Sequence, residues 1–200
     1  MNKLYILVIV IVVIVGGYFF LVQDRGEEST DRDTATPLSK DMIAIIQTNF
    51  GEITLELFAS DAPKTVENFM KLAEAGFYID TKFHRVIKGF MIQGGDPLSI
   101  DNALKDRWGT GGPGYTFADE IHANNRNVAG TIAMANSGPN TNGSQFFINT
   151  ADNNFLDAKH TVFGKVIAGS DVLATIESTA VGSQDRPIDD VIVESVTITR

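Results

Sequence analysis

Cysteine is absent from the 200 residues, and acidic side chains outnumber basic ones. The lack of cysteine excludes a disulfide-stabilised scaffold and a lipid anchor on a thiol, although it does not identify the compartment. A formal net charge of −9 argues against nucleic acid as a partner, since phosphate binding needs a basic face. Only three histidines are present, and none has a second ligand at metal spacing. We therefore expect neither a metal site nor a cofactor.

One long apolar run is present, at the N-terminus. Residues 4–22 carry no charge and are mostly aliphatic or aromatic. A helix of this length spans about 28 Å, close to the hydrocarbon thickness of a bilayer, about 30 Å. A cleaved signal peptide is the alternative, with Val15-Gly16-Gly17 as its cleavage site, but its apolar region is usually shorter and the new terminus would begin with apolar residues 18–21. We predict an uncleaved, single-pass membrane anchor over residues 1–22.

The charges on either side of this run predict its orientation. Lys3 precedes it, whereas residues 23–33 hold five acids and two arginines. The positive-inside bias then keeps the N-terminus in the cytoplasm and places the rest of the chain on the extracytoplasmic side. Residues 23–41 are polar with few large apolar side chains, which predicts a disordered tether.

Residues 42–200 have the length of a single domain and the pattern of a mainly β protein. Residues 43–48 and 53–58 alternate between core-facing and exposed positions around Gly51, which predicts a hairpin. Further short apolar segments separated by Gly, Asn and Pro predict several more strands. Many short antiparallel strands with few helices favour a closed β-barrel.

Two helices are predicted within this domain. The first follows Ser60 or Asp61, either of which could be its N-cap, and it ends at Gly76. Val66 and Phe69 fall on its apolar stripe. The second helix is predicted over residues 170–178.

The segment 83–96, FHRVIKGFMIQGGD, reads as a strand, a tight turn and a second strand. Arg85 lies close to Phe90 and Met91 in this hairpin, with the amide of Gln93 nearby. An apolar floor with fixed hydrogen-bond donors suits a neutral ligand that has an apolar body and a carbonyl group. The alternative is a core hairpin whose Arg85 merely extends to water.

A second segment, residues 130–148, reads GTIAMANSGPNTNGSQFFI. Its two ends predict strands, and its Asn-, Gly- and Pro-rich middle predicts an ordered loop. Together with segments 155–157 (FLD), 159–166 (KHTVFGKV) and 186–188 (RPI), these motifs closely resemble the cyclophilin family of peptidyl-prolyl cis/trans isomerases. The resemblance covers residues 42–200 in the expected order.

The resemblance implies an eight-stranded antiparallel β-barrel capped by two α-helices, here preceded by the predicted transmembrane helix. It also implies an enzyme that isomerises X-Pro bonds in proline-containing polypeptides and so assists protein folding. We expect a monomer. A non-catalytic proline-peptide-binding module or holdase chaperone is the alternative function. Retention of Arg85 and the surrounding groove residues favours the enzyme.

By resemblance, Arg85 is the catalytic hydrogen-bond donor. The residues expected to bind substrate form a proline pocket (Phe90, Met91, Phe147, Leu156 and His160), hydrogen-bond the substrate backbone (Gln93, Asn136 and Gln145), or line the groove (Gly109, Ala135, Ser137 and Phe155). Phe155 stands where the family often has Trp and therefore lacks the indole N–H donor, so we expect weakened cyclosporin binding. Ser137 stands where Ala is common. His84 is expected to be packed structurally beside Arg85.

Overall fold

The structure is a computed structural model that describes residues 42–200. The predicted anchor, residues 1–22, and the predicted tether, residues 23–41, lie outside the described residues. Within residues 42–200, no helix combines the length and the apolar character needed to cross a membrane.

Residues 42–200 form eight strands and two α-helices. The strands are β1 (Met42–Thr48), β2 (Gly51–Leu57), β3 (Arg85–Ile87), β4 (Met91–Gly94), β5 (Thr131–Met134), β6 (Phe146–Asn149), β7 (Val162–Ala168) and β8 (Val193–Thr199), and the helices are α1 (Pro63–Glu74) and α2 (Ser170–Glu177). Four short 3-10 helices cover Pro97–Ile100, Asn102–Arg107, Asn154–Leu156 and Ser183–Asp185. The predicted mainly β domain with eight strands and two helices is confirmed.

The strands make one antiparallel sheet in the order β3-β4-β6-β5-β7-β2-β1-β8. The sheet is strongly curled, and main-chain bonds link the regions at its two edges. These bonds join residues 80–83, which precede β3, to residues 191–193, where β8 begins. Lys82 bridges to Ile192, and the Phe83 amide donates to the Val191 carbonyl at 2.9 Å. The register of the sheet therefore fixes where its edges come together.

Helix α1 packs one apolar face into the barrel core. Val66 and Phe69 are fully buried, as their predicted helical stripe requires. Its N-terminus is capped by Glu120, whose carboxylate accepts from the Thr65 amide at 2.7 Å and from the Lys64 amide at 3.2 Å. The sequence-based prediction of a cap at Ser60 or Asp61 is wrong, since the N-cap residue is Ala62 and makes no side-chain hydrogen bond. A carboxylate from a distant loop takes that place and also complements the helix dipole.

Strands β5 and β6 are buried on both faces. Alternate side chains of a strand point to opposite faces of the sheet. Phe146 and Ile148 of β6 therefore belong to the interior core, whereas Phe147 belongs to a second apolar cluster on the outer face. The ring of Phe146 lies 5.6 to 5.9 Å from those of three interior aromatic residues, Phe69, Tyr78 and Phe83. The outer cluster is the start of the functional site.

Candidate active site

Arg85 and three other residues share one row on the outer face of the sheet. Arg85 of β3 is paired with Gln93 of β4, Gln93 with Phe147 of β6, and Phe147 with Ala133 of β5. Directly paired residues point to the same face of an antiparallel sheet. The row therefore consists of a cation, an amide and two apolar side chains, in that order.

The two apolar residues of this row belong to an apolar cluster on the outer face of the sheet, where the proline pocket is predicted. Its buried residues are Met91, Ala133, Phe147, Leu156 and Val162, and Phe58, Ile87, Phe90 and Ala135 pack against them. The His160 ring lies edge-on to Phe147 at 5.4 Å. All five residues predicted for the proline pocket are thus brought together. Four members of this cluster were not predicted. Phe58 and Val162 lie outside the two long motifs, and Ile87 and Ala133, which lie within them, look like ordinary core residues.

Phe155 forms the outer wall of this pocket. Its ring stacks on Phe90 with 6.0 Å between centroids, and it is 66% exposed. An aromatic ring this exposed gains little from burial in the free protein, so a role against a ligand accounts for it better than a role in the core.

The loop that carries His160 is fixed by hydrogen bonds to main-chain atoms. His160 Nδ1 lies 2.9 Å from the Met134 carbonyl oxygen, and because that oxygen can only accept, Nδ1 carries a hydrogen. Asn125 Nδ2 donates to the His160 carbonyl at 2.9 Å, and Asn136 Nδ2 donates to the Lys159 carbonyl at 2.8 Å. The ring is consequently held in one orientation beside Phe147.

A chain of amides connects the pocket to a second cleft. Gln93 Nε2 donates to Gln145 Oε1 at 2.9 Å, and Gln145 Nε2 donates to the Gly111 carbonyl at 2.8 Å. The cleft has a volume of about 330 Å³, and its lining includes six of the predicted groove residues, Gln93, Gly109, Ala135, Asn136, Ser137 and Gln145. Gln93 and Gln145 therefore line the cleft together, with their side-chain amides in contact.

Asp96 shapes the rim of this cleft, and the sequence analysis did not single it out. The side chain is fully buried, and its carboxylate accepts from the amides of Gly109, Gly111 and Leu98. A Cβ at Gly111 would overlap this carboxylate, so glycine is required there. The sequence signal for Asp96 is its position directly after Gly94-Gly95. That position indicates a turn, but it does not indicate that Asp96 binds amides more than ten residues away.

Arg85 is well placed to reach the groove. Its side chain is 43% exposed, and its Nε lies 3.4 Å from Asp185 Oδ2. The arrangement can therefore offer hydrogen-bond donors beside an apolar pocket.

Within residues 42–200, no cluster of three His, Asp or Glu side chains could hold a metal ion.

Comparison with known proteins identifies the family of this site. The sequence model of the cyclophilin type peptidyl-prolyl cis-trans isomerases matches residues 43–198. The chain belongs to the cyclophilin family of peptidyl-prolyl cis-trans isomerases.

Relatives of this cyclophilin occur in animals and bacteria. It is 48% identical over 147 residues to the human peptidyl-prolyl cis-trans isomerase-like 1, an alignment that covers 73% of this chain and 86% of that protein. It is 44% identical over 186 residues to peptidyl-prolyl cis-trans isomerase A of Mycobacterium tuberculosis, covering 84% of this chain and 97% of that protein.

Solved structures give the same relationship. The cyclophilin type isomerase of Cryptosporidium parvum has a TM-score of 0.73 and 38% identity, and the match covers 80% of this chain and 98% of that one. A second structure of that protein, in the presence of the dipeptide Ala-Pro, has a TM-score of 0.72 and covers 79% of this chain and 99% of that one.

His84 is buried beside the site of this cyclophilin, and its ring nitrogens lack hydrogen-bond partners within residues 42–200. It is only 4% exposed, as predicted for a packed residue. Burial lowers the pKa of His84 from 6.5 to about 4. The charge of Asp96 and the main chain of Lys82 oppose this shift, and the cations Arg186 and Arg85 reinforce it. The imidazole is thus neutral in the folded domain near neutral pH.

We predict that His84 makes the domain less stable in mild acid. The unfolded chain binds a proton at this residue near pH 6.5, whereas the folded domain does so only near pH 4. The contribution of the neutral ring is therefore complete above about pH 6.5 and is lost as the pH falls towards 4. Relative to His84→Gln, the wild type should lose up to about 1.4 kcal/mol more unfolding free energy per pH unit in this window. Urea denaturation between pH 4 and 8 measures the difference, and parallel pH curves would contradict it.

Proposed function

We propose that this cyclophilin catalyses X-Pro isomerisation by directing the Arg85 guanidinium at the twisted prolyl amide. Rotation about the bond makes and breaks no covalent bond, and its barrier of about 18 to 20 kcal/mol comes from amide resonance. In the twisted state the prolyl nitrogen is pyramidal and more basic. A donor aimed at it stabilises that state more than either planar isomer, which is the condition for catalysis.

The position of Arg85 supports this role. The residue lies on a strand and is paired with Gln93, so its main chain is held by the sheet. Its side chain is 43% exposed and lies on the same face of the sheet as Gln93, which lines the cleft, so the donor is in place before the substrate arrives. A preorganised donor needs little reorganisation when the amide twists, and this is the reason for its catalytic effect.

The apolar pocket supports proline as the residue that is recognised. Met91, Phe147 and Leu156 form an apolar cluster on the outer face of the sheet and offer no hydrogen-bonding groups to a ring. Gln93, Asn136 and Gln145 lie along the adjoining cleft, where they can bind the main chain on either side of the proline. The related isomerase of Cryptosporidium parvum, whose structure was determined in the presence of Ala-Pro, is consistent with a proline-containing polypeptide as substrate.

Isomerisation needs no proton transfer, so His160 is assigned to the pocket wall and not to acid–base chemistry. Its Nδ1 is occupied by the Met134 carbonyl, and its ring faces Phe147. This leaves Arg85 as the residue whose loss should affect the rate most.

We expect Arg85→Ala to lower kcat/KM by about 10²- to 10³-fold, the scale for losing one preorganised donor. The affinity for a proline peptide should change much less, because the apolar pocket remains and Arg85 acts mainly on the twisted state. Arg85→Lys should rescue poorly, since an ammonium group cannot reproduce the planar fork of donors. A protease-coupled peptide assay gives the rate, and calorimetric titration gives the affinity.

The same measurements separate the enzyme from a binding module. Near-normal activity in a folded Arg85→Ala variant would show that the donor mechanism is wrong. Equal losses of affinity and rate would instead favour a groove that holds peptides without catalysis.

Phe155 is proposed to weaken cyclosporin binding, because its ring supplies an apolar wall but no N–H donor. Phe155→Trp restores the donor, and one added hydrogen bond should tighten cyclosporin binding about fivefold. Phe155→Leu is the matched control and should give no gain. Calorimetric titration of cyclosporin checks this, and equal affinities of Phe155→Trp and the wild type would contradict it.

We further propose that residues 1–22 anchor the enzyme in a membrane and that its domain acts on the extracytoplasmic side. The support is the uncharged run of residues 4–22, with Lys3 before it and an acidic segment after it. A compartment-sensitive reporter fused after Arg200 should give an extracytoplasmic signal. The same fusion lacking residues 1–22 should give a cytoplasmic one. A cytoplasmic signal from both fusions would overturn the orientation.

A further inference from the structure

The loop of residues 181–188 brings a carboxylate to Arg85. Asp185 Oδ2 lies 3.4 Å from Arg85 Nε, and this is the one ion pair that Arg85 makes within residues 42–200. The contact is to the inner nitrogen of the guanidinium. The two terminal amino groups make no hydrogen bond within residues 42–200 and are free to bind a ligand.

The backbone that presents this carboxylate is strained. Gln184 and Asp185 have φ values of 61° and 58°, in the left-handed region that residues with a Cβ rarely adopt. Two consecutive residues of this kind persist only where the surrounding structure imposes the conformation. Such sites are candidates for functional roles.

The surrounding structure does impose it. The Gly182 amide donates to the Arg186 carbonyl at 2.8 Å, which closes the loop around residues 183–185. The Arg186 side chain is buried, with its guanidinium carbon 5.7 Å from the centre of the Trp108 ring. Trp108 is itself held by a hydrogen bond from its Nε1 to the Asp101 carbonyl at 3.1 Å. Asp185 is therefore presented by a loop that is anchored at its next residue.

Two effects of this carboxylate on Arg85 oppose each other. Its charge weakens the positive potential of the guanidinium, whereas its hydrogen bond restricts a long side chain that would otherwise sample many rotamers. Both side chains are nearly half exposed, at 43% and 46%, so solvent screens the charge effect. The orientation of the guanidinium is then the larger consequence.

We propose that Asp185 is a positioning residue, which binds Nε of Arg85 and directs the terminal amino groups of its guanidinium into the groove. The proposal rests on the catalytic role proposed for Arg85. Asp185 is not among the residues that line the cleft, and its one side-chain hydrogen bond within residues 42–200 is to Arg85.

The test compares two glycine substitutions at adjacent left-handed positions. Asp185→Gly removes the carboxylate and relieves the backbone strain at once, so a loss of activity cannot come from a misfitting Cβ. Gln184→Gly is the matched control, since its exposed side chain makes no hydrogen bond to Arg85. We expect Asp185→Gly to lower kcat/KM about three- to fivefold, the scale of one hydrogen bond, with peptide affinity almost unchanged. Gln184→Gly should retain wild-type kinetics.

A double-mutant cycle then shows whether the effect passes through Arg85. In an Arg85→Ala background, measured by exchange on a proline peptide at high enzyme concentration, Asp185→Gly should cause no further loss. An equal loss in both backgrounds, or no loss in either, would overturn the proposal. Asp185→Asn keeps an acceptor oxygen and tolerates the left-handed backbone, so it should stay within about twofold of the wild type. If Asp185→Asn lowered kcat/KM as much as Asp185→Gly, the hydrogen bond to Nε would not position Arg85 and the proposal would be wrong.

Failure of this proposal can be told from failure of the proposed mechanism. If Arg85→Ala is nearly as active as the wild type, the catalytic role of Arg85 is wrong. If Arg85→Ala is slow while Asp185→Gly is normal, only the positioning role is wrong.

Discussion

The burial of β6 on both of its faces is the constraint on which the rest of the domain depends. Phe146 completes an aromatic cluster inside the barrel, while its neighbour Phe147 forms the floor of the pocket outside. A slip of one residue in register would turn the polar residues Gln145 and Asn149 towards the core together with Phe147, and would move Phe146 and Ile148 to the outer face. The same pairing that closes the core therefore sets the distance from Phe147 to Gln93 and Arg85. Stability and catalytic geometry are properties of one strand register.

The long irregular segments around the site have few main-chain hydrogen bonds of the strand type. Polar side chains bind their main-chain groups instead. Asn125 binds two main-chain carbonyls and the Val162 amide, and Asn153 binds the Phe90 carbonyl. Asp96 does the same for the glycine-rich rim of the cleft. Because buried main-chain groups need partners, each such side chain converts a loop into a fixed wall. A reaction that depends only on orientation and electrostatics is well served by walls of this kind, since nothing in the site has to gain or lose a proton.

Much of the candidate site was expected from the sequence because the resemblance to the cyclophilin family rests on two continuous motifs. Arg85 and Gln93 lie eight residues apart on one hairpin, and Gln145 directly precedes the strand that holds Phe147. The structure places Arg85, Gln93 and Phe147 in one row of the sheet. Asp96 and Asp185 were missed for the opposite reason. Each acts on a segment that is distant in the chain, and an isolated acid in a turn does not reveal its partner.

Periods of two and 3.6 residues, visible over a few residues at a time, predicted the mainly β class of the domain, its two helices and most of its strands. The residues of the proline pocket were expected only from the resemblance to the cyclophilin family, and the structure brings them into one apolar cluster with His160 beside Phe147. Tertiary structure alone decided that Glu120 caps α1 in place of Ser60 or Asp61, that the sheet edges join through Lys82 and Ile192, and that His84 is buried without a partner. Each of these outcomes depends on groups that are far apart in the chain. The fold brings such a group closer than a suitable neighbour in sequence, so the distant group makes the contact.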